Sequence, residues 1–341
     1  MRNEKEMEPL ISLDHVTYRY PFTGRDAVTD ISIDVKPGEA VLVTGVSGCG
    51  KTTLIRLING LAPGYYGGKV TGSIHVAGIP NASRTLPEIA ADCGTLFQDP
   101  ENQFFALNVE DELAFAEEWR GTPREGIRRK IEDAVKRFGI GRVLSSSIHE
   151  LSEGEKQKVG LSSITMTDPK ALIFDEPTVG LDPKQIIEIR NLIRGLGKAH
   201  TVILSTHILQ EVQAVCDKIV VIDKGKLVAN DTTENLSHNL SADHKLTVQI
   251  EGPTKEVKSL LEQIPQMVEV HLNRTIDKTI GEYELNAQEG CDIRREVFKR
   301  MAARNYPILL MRSSELTLEE IFLKLTTGDF YGNIDNGGAA R

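Results

Sequence analysis

Cysteine is scarce and scattered in this chain. Cys49, Cys93, Cys216 and Cys291 include no CxxC pair, so neither a zinc site nor a disulfide framework is expected, and a reducing cytoplasm suits the composition. Long apolar runs are also missing. No window reaches the ~20 uncharged apolar residues needed to cross a bilayer, and Met1-Arg2-Asn3-Glu4-Lys5 leads into no signal-peptide core. The expectation is a chain neither secreted nor itself membrane-spanning. Positive charge is in deficit, with 40 Lys and Arg against 49 Asp and Glu. The formal net charge of −9 argues against a nucleic-acid partner, because phosphate backbones are bound by clustered Lys and Arg. The basic stretch at 124–130 reads as a solvated helix face.

What is present suffices for a real core: 40% hydrophobic and 26% charged residues over 341 positions, a length that suits two domains. Apolar, β-rich runs recur at 40–44, 94–98, 171–174, 201–205 and 219–223. Helical patterns separate most of them, which implies an α/β fold with a parallel sheet covered by helices. Helix starts are marked at Thr122-Pro123-Arg124-Glu125, with Thr122 as N-cap, and at Asp182-Pro183, ahead of an apolar face of Ile186, Ile189, Ile193 and Leu196. Strand signals fade over about 99–168, so an inserted helical subdomain is expected there.

Three runs within this frame carry chemistry. Gly45-Val46-Ser47-Gly48-Cys49-Gly50-Lys51-Thr52 has the form GxxxxGK[ST] and follows Ala40-Val41-Leu42-Val43-Thr44, the strand–loop–helix context of a phosphate cradle. Gly48 and Gly50 let successive N–H groups point inward, and the helix starting at Lys51 adds the positive end of its dipole. Lys51 is expected to reach the β- and γ-phosphates, and Thr52 to hold Mg²⁺ with its hydroxyl. Asp175 and Glu176 end a second apolar run, at the sheet edge where α/β proteins bind ligands. An Asp there holds Mg²⁺, and a second acid orients or deprotonates the attacking water. His207, just past Leu204-Ser205-Thr206, is placed where an imidazole contacts a γ-phosphate. In the third run, Leu151-Ser152-Glu153-Gly154-Glu155, Ser152 and Glu155 form a capping box, whose plain meaning is a helix start. The same N-terminus, with Ser152 and the bare backbone of Gly154, also reads as an anion site. Together the runs imply ATP binding and hydrolysis.

In this order the motifs resemble those of the ATP-binding-cassette (ABC) family, over about residues 10–230. The resemblance implies a P-loop NTPase fold in which Tyr20 stacks on adenine. Gly45, Ser47, Gly48, Cys49, Gly50, Lys51, Thr52 and Thr53 then belong to the Walker A loop, and Gln98 is the Q-loop glutamine near Mg²⁺, water and the membrane partner. Asp175 is the Walker B Asp, Glu176 the catalytic Glu, Gly180-Leu181-Asp182 the D-loop and His207 the switch His. Catalysis is thus expected of Glu176, His207 and Gln98, and Mg²⁺ coordination of Thr52, Gln98 and Asp175. Leu151 to Glu155 resembles the signature sequence LSGGQ, departing from it at Glu153 and Glu155 while keeping the phosphate-facing Ser152 and Gly154. In this family two ATPase chains face each other head to tail, each ATP lying between the Walker loops of one and the signature of the other. A single motif set therefore implies a homodimer or heterodimer, peripheral at the cytoplasmic face of the cell membrane and coupled to a separate transmembrane subunit.

A narrower resemblance, to the ATPases of energy-coupling factor transporters that import vitamins and metal ions, lies in three stretches. They are the run from Pro63 to Gly72, the run from Phe97 to Phe104, and Val109-Glu110-Asp111-Glu112-Leu113-Ala114-Phe115. It implies that the segment after Gln98, with Asn102, Gln103 and Phe104, docks on a transmembrane coupling subunit. The rival is an export ATPase, because Thr317 to Thr326 resembles the ending of exporter cassettes. Soluble cassette ATPases of DNA repair need long coiled coils and those of ribosome function need two cassettes in one chain, and neither is present. An ABC domain is expected over 8–236. Beyond it the pattern reads βαββαβ plus a helix, a small α+β ferredoxin-like domain over 240–327, with a loose Gly- and Asn-rich tail at 328–341.

Overall fold

The computed structural model describes residues 8–206, 216–232, 235–236, 245–277, 279–288 and 291–313. The chain divides into two compact units, 1–232 and 233–341. In the first, β1 (Ile11–Arg19), β2 (Val28–Val35), β3 (Ala40–Thr44), α1 (Lys51–Ile58), β4 (Lys69–Val76) and β5 (Ile79–Pro80) come first. Ile11, Leu13, Val16 and Tyr18 are buried between polar neighbours, the period-two pattern of a sheet with one covered face, stepped by one residue where the register shifts between Leu13 and Val16. β1 pairs antiparallel with β2 and β4 in a four-stranded sheet ordered β2-β1-β4-β5. This sheet was not among the sequence expectations, although its alternation is plain in Ile11–Arg19.

The remaining elements of this unit are α2 (Leu86–Asp92), β6 (Cys93–Leu96), α3 (Val109–Trp119), α4 (Arg124–Phe138), α5 (Glu153–Thr165), β7 (Ala171–Asp175), α6 (Pro183–Gly197), β8 (Thr201–Ser205), β9 (Lys218–Asp223) and β10 (Lys226–Thr232). They complete a six-stranded sheet ordered β10-β9-β3-β8-β7-β6, parallel except for the hairpin strand β10. Every residue of β3, β7 and β8 is buried, as in strands covered on both faces. The strand expected at 94–98 ends two residues earlier, at Leu96. α3, α4 and α5 fill the chain between β6 and β7. Asp182 caps α6 by accepting from the Lys184 and Gln185 N–H groups, and Ile189, Ile193 and Leu196 are buried. Thr122 does not cap α4: the N-cap is Pro123, and the Thr122 hydroxyl donates to Glu117 at 2.6 Å. Glu117 is a buried carboxylate also paired with Lys130 at 2.8 Å, and a buried charge attracts nearby donors.

The second unit runs β11 (Lys245–Glu251), α7 (Thr254–Glu262), β12 (Met267–Asp277), β13 (Ile280–Ala287), α8 (Arg294–Ala303) and β14 (Ile308–Ser313). Its sheet is antiparallel in the order β12-β13-β11-β14, so β13 lies between the two strands that α7 connects, a split βαβ arrangement. Val257 and Leu261 of α7 and Val297 and Met301 of α8 share one core with Val248, Tyr283 and Leu285 of the sheet. The helix expected near 317–326 and the tail at 328–341 lie outside the described residues. Among those residues no helix is long and apolar enough to cross a membrane. Phe174, with no exposed surface, precedes Asp175 in β7. Phe174→Ala should cost about 3–5 kcal/mol of stability, as for a large buried aromatic, read as faster amide exchange in β7 and its neighbours β6 and β8; unchanged exchange there would contradict the packing described.

Candidate nucleotide site

Three parallel strands bring the chemistry to one edge. Val43 of β3 and Asp175 of β7 are both level with Ser205 of the intervening β8. The glycine loop leaves β3 just beyond this line and returns as α1 at Lys51. Space fixes Gly45: a Cβ there would overlap the Ile222 carbonyl and the Cys49 sulfur. Gly50 has φ +119°, a backbone that residues with side chains rarely adopt, and its Cβ would stand 3.0 Å from the Ala27 carbonyl oxygen. The loop is pinned from behind, where the Gly225 N–H donates to the Cys49 carbonyl at 2.8 Å. Burial pushes the Cys49 thiol up, with Lys51 opposing the rise.

The Lys51 side chain folds back over the loop. Its ammonium donates to the Gly45 carbonyl at 2.9 Å and the Val46 carbonyl at 3.5 Å, and stands 3.6 Å from Glu176 Oε1. Both side chains are almost buried, at 7% and 10% exposure, and charges so desolvated require a partner. Glu176 has left-handed backbone at φ +51°, while its N–H donates to the Ser205 carbonyl at 2.9 Å. Such strain is of order 1–3 kcal/mol in a residue with a Cβ and collects at functional sites. Asp175 accepts from the Ser205 hydroxyl at 2.6 Å, which fixes one carboxylate oxygen. A cleft of about 530 Å³ runs along the loop, lined by residues 47–53, by Tyr20, Arg25 and Ala27, and by the turn Asp223, Lys224 and Gly225. That volume falls in the range of small-molecule sites.

Tyr20, Ser47, Gly48, Cys49, Gly50, Lys51, Thr52 and Thr53 therefore share one cleft. Gln98 lies two residues past β6 and is exposed; Leu96 of β6 pairs with Phe174, so Gln98 follows at the edge where Asp175 ends β7. His207 falls outside the described residues. Ser152 and Gly154, at the start of α5, are not among the residues lining the cleft. The Ser152 N–H and hydroxyl donate to Glu155 Oε2 at 2.9 and 2.7 Å, and these bonds hold the Glu155 carboxyl below its ordinary range. Gly154 is buried, with Gln185 atoms 2.7 Å from where its Cβ would be. Its backbone is thus covered on that side by the α6 side chain, a difference from the bare backbone expected of it.

Sequence reasoning missed two features nearby. Lys156 of α5 donates to Glu101 at 2.7 Å and to Glu153 at 3.0 Å, tying the segment after Gln98 to one of the two acids that depart from LSGGQ. Pairing of Glu101 with Lys156, 55 positions apart, leaves no local sequence signal. The second feature is apolar. Gln103 accepts from the Phe97 N–H and donates to the Thr95 carbonyl, both at 3.1 Å, and Phe104 is half-buried. Gln103 is therefore bonded to nearby backbone, and Phe104 is partly covered. The exposed apolar residues are Phe105 (78%), Leu107 (76%) and Trp119 (80%), with Phe105 stacked on Phe115 at 5.1 Å. The buried Glu112 carboxylate shapes this loop by accepting from the Phe105 and Ala106 N–H groups at 2.9 and 3.0 Å. Phe115 and Trp119 at i and i+4 of α3 were the available signal.

The family model for ABC transporters matches residues 28–179. An ABC transporter ATP-binding protein of Methanosarcina mazei is 36% identical over 230 residues, 67% of this chain and 39% of the relative. One of Treponema denticola is 36% identical over 220 residues, 64% of this chain and 45% of the relative. The chain spans less than half the length of these curated relatives. Among solved structures, it is similar to CbiO1 of Clostridium perfringens, part of the ABC transporter complex CbiONQ, at 26% identity and TM-score 0.61 over 76% of this chain and 96% of that one. It is also similar to a bacterial Atm1-family ABC exporter with ATP bound, at 26% identity and TM-score 0.57 over 68% of this chain and 40% of that one. A glycine loop on a buried parallel strand, an acid pair level with it and these likenesses identify the stretch 28–179 as part of an ABC transporter ATPase domain.

Proposed function

We propose that the chain is the ATPase subunit of an import system of the energy-coupling factor type, working as one of two ATPase chains at the cytoplasmic face of the cell membrane. The observation that carries the two-chain reading is the separation of Ser152 and Gly154 from the cleft that holds Lys51. A helix start with a hydroxyl and backbone N–H groups suits a phosphate, so the α5 terminus of one chain closes the cleft of another. The Ser152 hydroxyl rotates from Glu155 to the phosphate in that step, as a hydroxyl rotor can.

Within the cleft, Lys51 leaves its loop carbonyls for the β- and γ-phosphate oxygens, and Glu176 is released to orient or deprotonate the attacking water. Thr52, Asp175 and Gln98 offer hard oxygen donors of the kind Mg²⁺ takes, and the Ser205–Asp175 bond leaves the second carboxylate oxygen available for it. A Mg²⁺ ion held by these oxygens would supply neutralisation of phosphate charge. His207 is assigned to the γ-phosphate. The exposed Phe105, Leu107 and Trp119 form the docking face for the transmembrane coupling subunit, since apolar patches rimmed by polar residues mark such contacts. The import reading is supported by the likeness to CbiO1, which spans 96% of that chain; the exporter likeness keeps an export permease as the second reading. We assign residues 8–236 to the ABC domain and 240–327 to a dimer-contact or regulatory role; the latter's described residues include no group of three or more His, Cys, Asp or Glu that could hold a metal ion.

Two expected outcomes test this reading. Glu176→Gln should retain ATP binding, lower hydrolysis by about 10²–10⁴-fold, the usual contribution of a general base, and accumulate an ATP-dependent dimer in sedimentation; turnover at the wild-type rate would remove Glu176 from the mechanism. Replacing Phe105, Leu107 and Trp119 together with Ser should release the membrane subunit in pull-downs while basal ATP hydrolysis persists. A complex that survives these changes and co-purifies with an export permease would favour the second reading.

A further inference from the structure

The phosphate cradle does not account for the aromatic cluster beside it. Tyr18 and Tyr66 both meet Tyr20 edge to face, with ring centroids 4.8 and 6.2 Å away and interplanar angles of 79° and 86°. Arg56, in the last turn of α1, enters this cluster from the helix that begins in the glycine loop. Its Nη1 donates to the Tyr20 hydroxyl at 3.0 Å, and its guanidinium lies over the Tyr66 ring, 4.3 Å from the centroid. The same Tyr20 hydroxyl is 3.3 Å from Thr53 Oγ1, one position after Thr52. Tyr18 in turn donates to the Gly67 carbonyl at 2.7 Å, holding the segment that carries Tyr66.

Tyr20 is therefore held at its tip by the helix that begins in the phosphate loop and at its sides by two further rings. A ring fixed in advance loses little freedom when a base stacks on it, and preorganisation of this kind appears as affinity. We propose that Arg56 is a positioning residue for the nucleobase: it fixes the plane of Tyr20 and links the base platform to α1, so that ATP affinity gains a base-dependent part from a residue that touches neither base nor phosphate. The inference rests on Tyr20 as the residue that stacks on adenine. An arginine serves because its planar guanidinium donates to the phenol and stacks on Tyr66 at once.

Calorimetry on the full chain with ATP and, separately, with inorganic tripolyphosphate distinguishes this role from general support of α1. Arg56→Met should weaken ATP binding about three- to tenfold, the size of one lost hydrogen bond, and leave tripolyphosphate binding unchanged. Tyr20→Phe, which keeps every ring contact but not the hydroxyl, should match it, and the double variant should lose no more than either alone. Equal losses for both ligands in Arg56→Met, or ATP binding unchanged in both single variants, would overturn the proposal. If Arg56→Met does not fold, Tyr20→Phe carries the test by the same comparison. Tyr20→Ala checks the underlying assignment: no loss of ATP relative to tripolyphosphate there means that Tyr20 does not stack on the base. A loss in Tyr20→Ala with none in Arg56→Met removes the role of Arg56 alone.

Discussion

The candidate nucleotide site depends on the parallel register of β3, β8 and β7. With Val43, Ser205 and Asp175 on one line, the loop after β3 and the acids at the end of β7 emerge at the same height, with β8 between them. Ser205 serves both sides of that line. Its hydroxyl fixes Asp175 at 2.6 Å, and its carbonyl takes the Glu176 N–H at 2.9 Å and so helps hold the left-handed turn. That turn brings the Glu176 carboxylate within 3.6 Å of the Lys51 ammonium. A slip of one residue in either pairing would turn every buried side chain of the strand to the opposite face. The full burial of these strands is thus a condition for the chemistry as well as for the core.

The same register explains what the sequence disclosed. A strand covered on both faces must be apolar throughout, so the runs at 40–44, 171–174 and 201–205 were legible, and the glycine loop was legible because few other contexts place GKT after such a run. The capping box of Ser152 and Glu155 was legible because it is local. Long-range partners were not. The sequence shows neither that Gln185 covers Gly154, nor that Lys156 joins Glu101 to Glu153, nor that Thr122 turns away from its helix to the buried Glu117. In each case the deciding contact lies beyond the neighbouring turn. The placement of Gln103 and Phe104 has the same origin, since β6 and α5 supply their surroundings.

Acid at Glu153 and Glu155 alters local electrostatics without removing the helix start. Glu155 is occupied by two donors from Ser152, and Glu153 shares Lys156 with Glu101. Both carboxylates are therefore compensated by neighbours close enough to matter. The α5 terminus keeps its favourable dipole for an anion, and the segment after Gln98 gains a charged link to α5.

The central claim is that one chain holds half of each ATP site, and complementation tests it most directly. Lys51→Ala disables the cradle, and Ser152→Arg disables the α5 terminus. Each variant alone should lack ATPase activity if a site needs the cradle of one chain and the terminus of the other. Mixed in equal amounts, they should regain part of the wild-type rate, because each mixed pair contains one site with both halves intact. A mixture as inactive as its components, or a Ser152→Arg chain that hydrolyses ATP at the wild-type rate, would contradict the account.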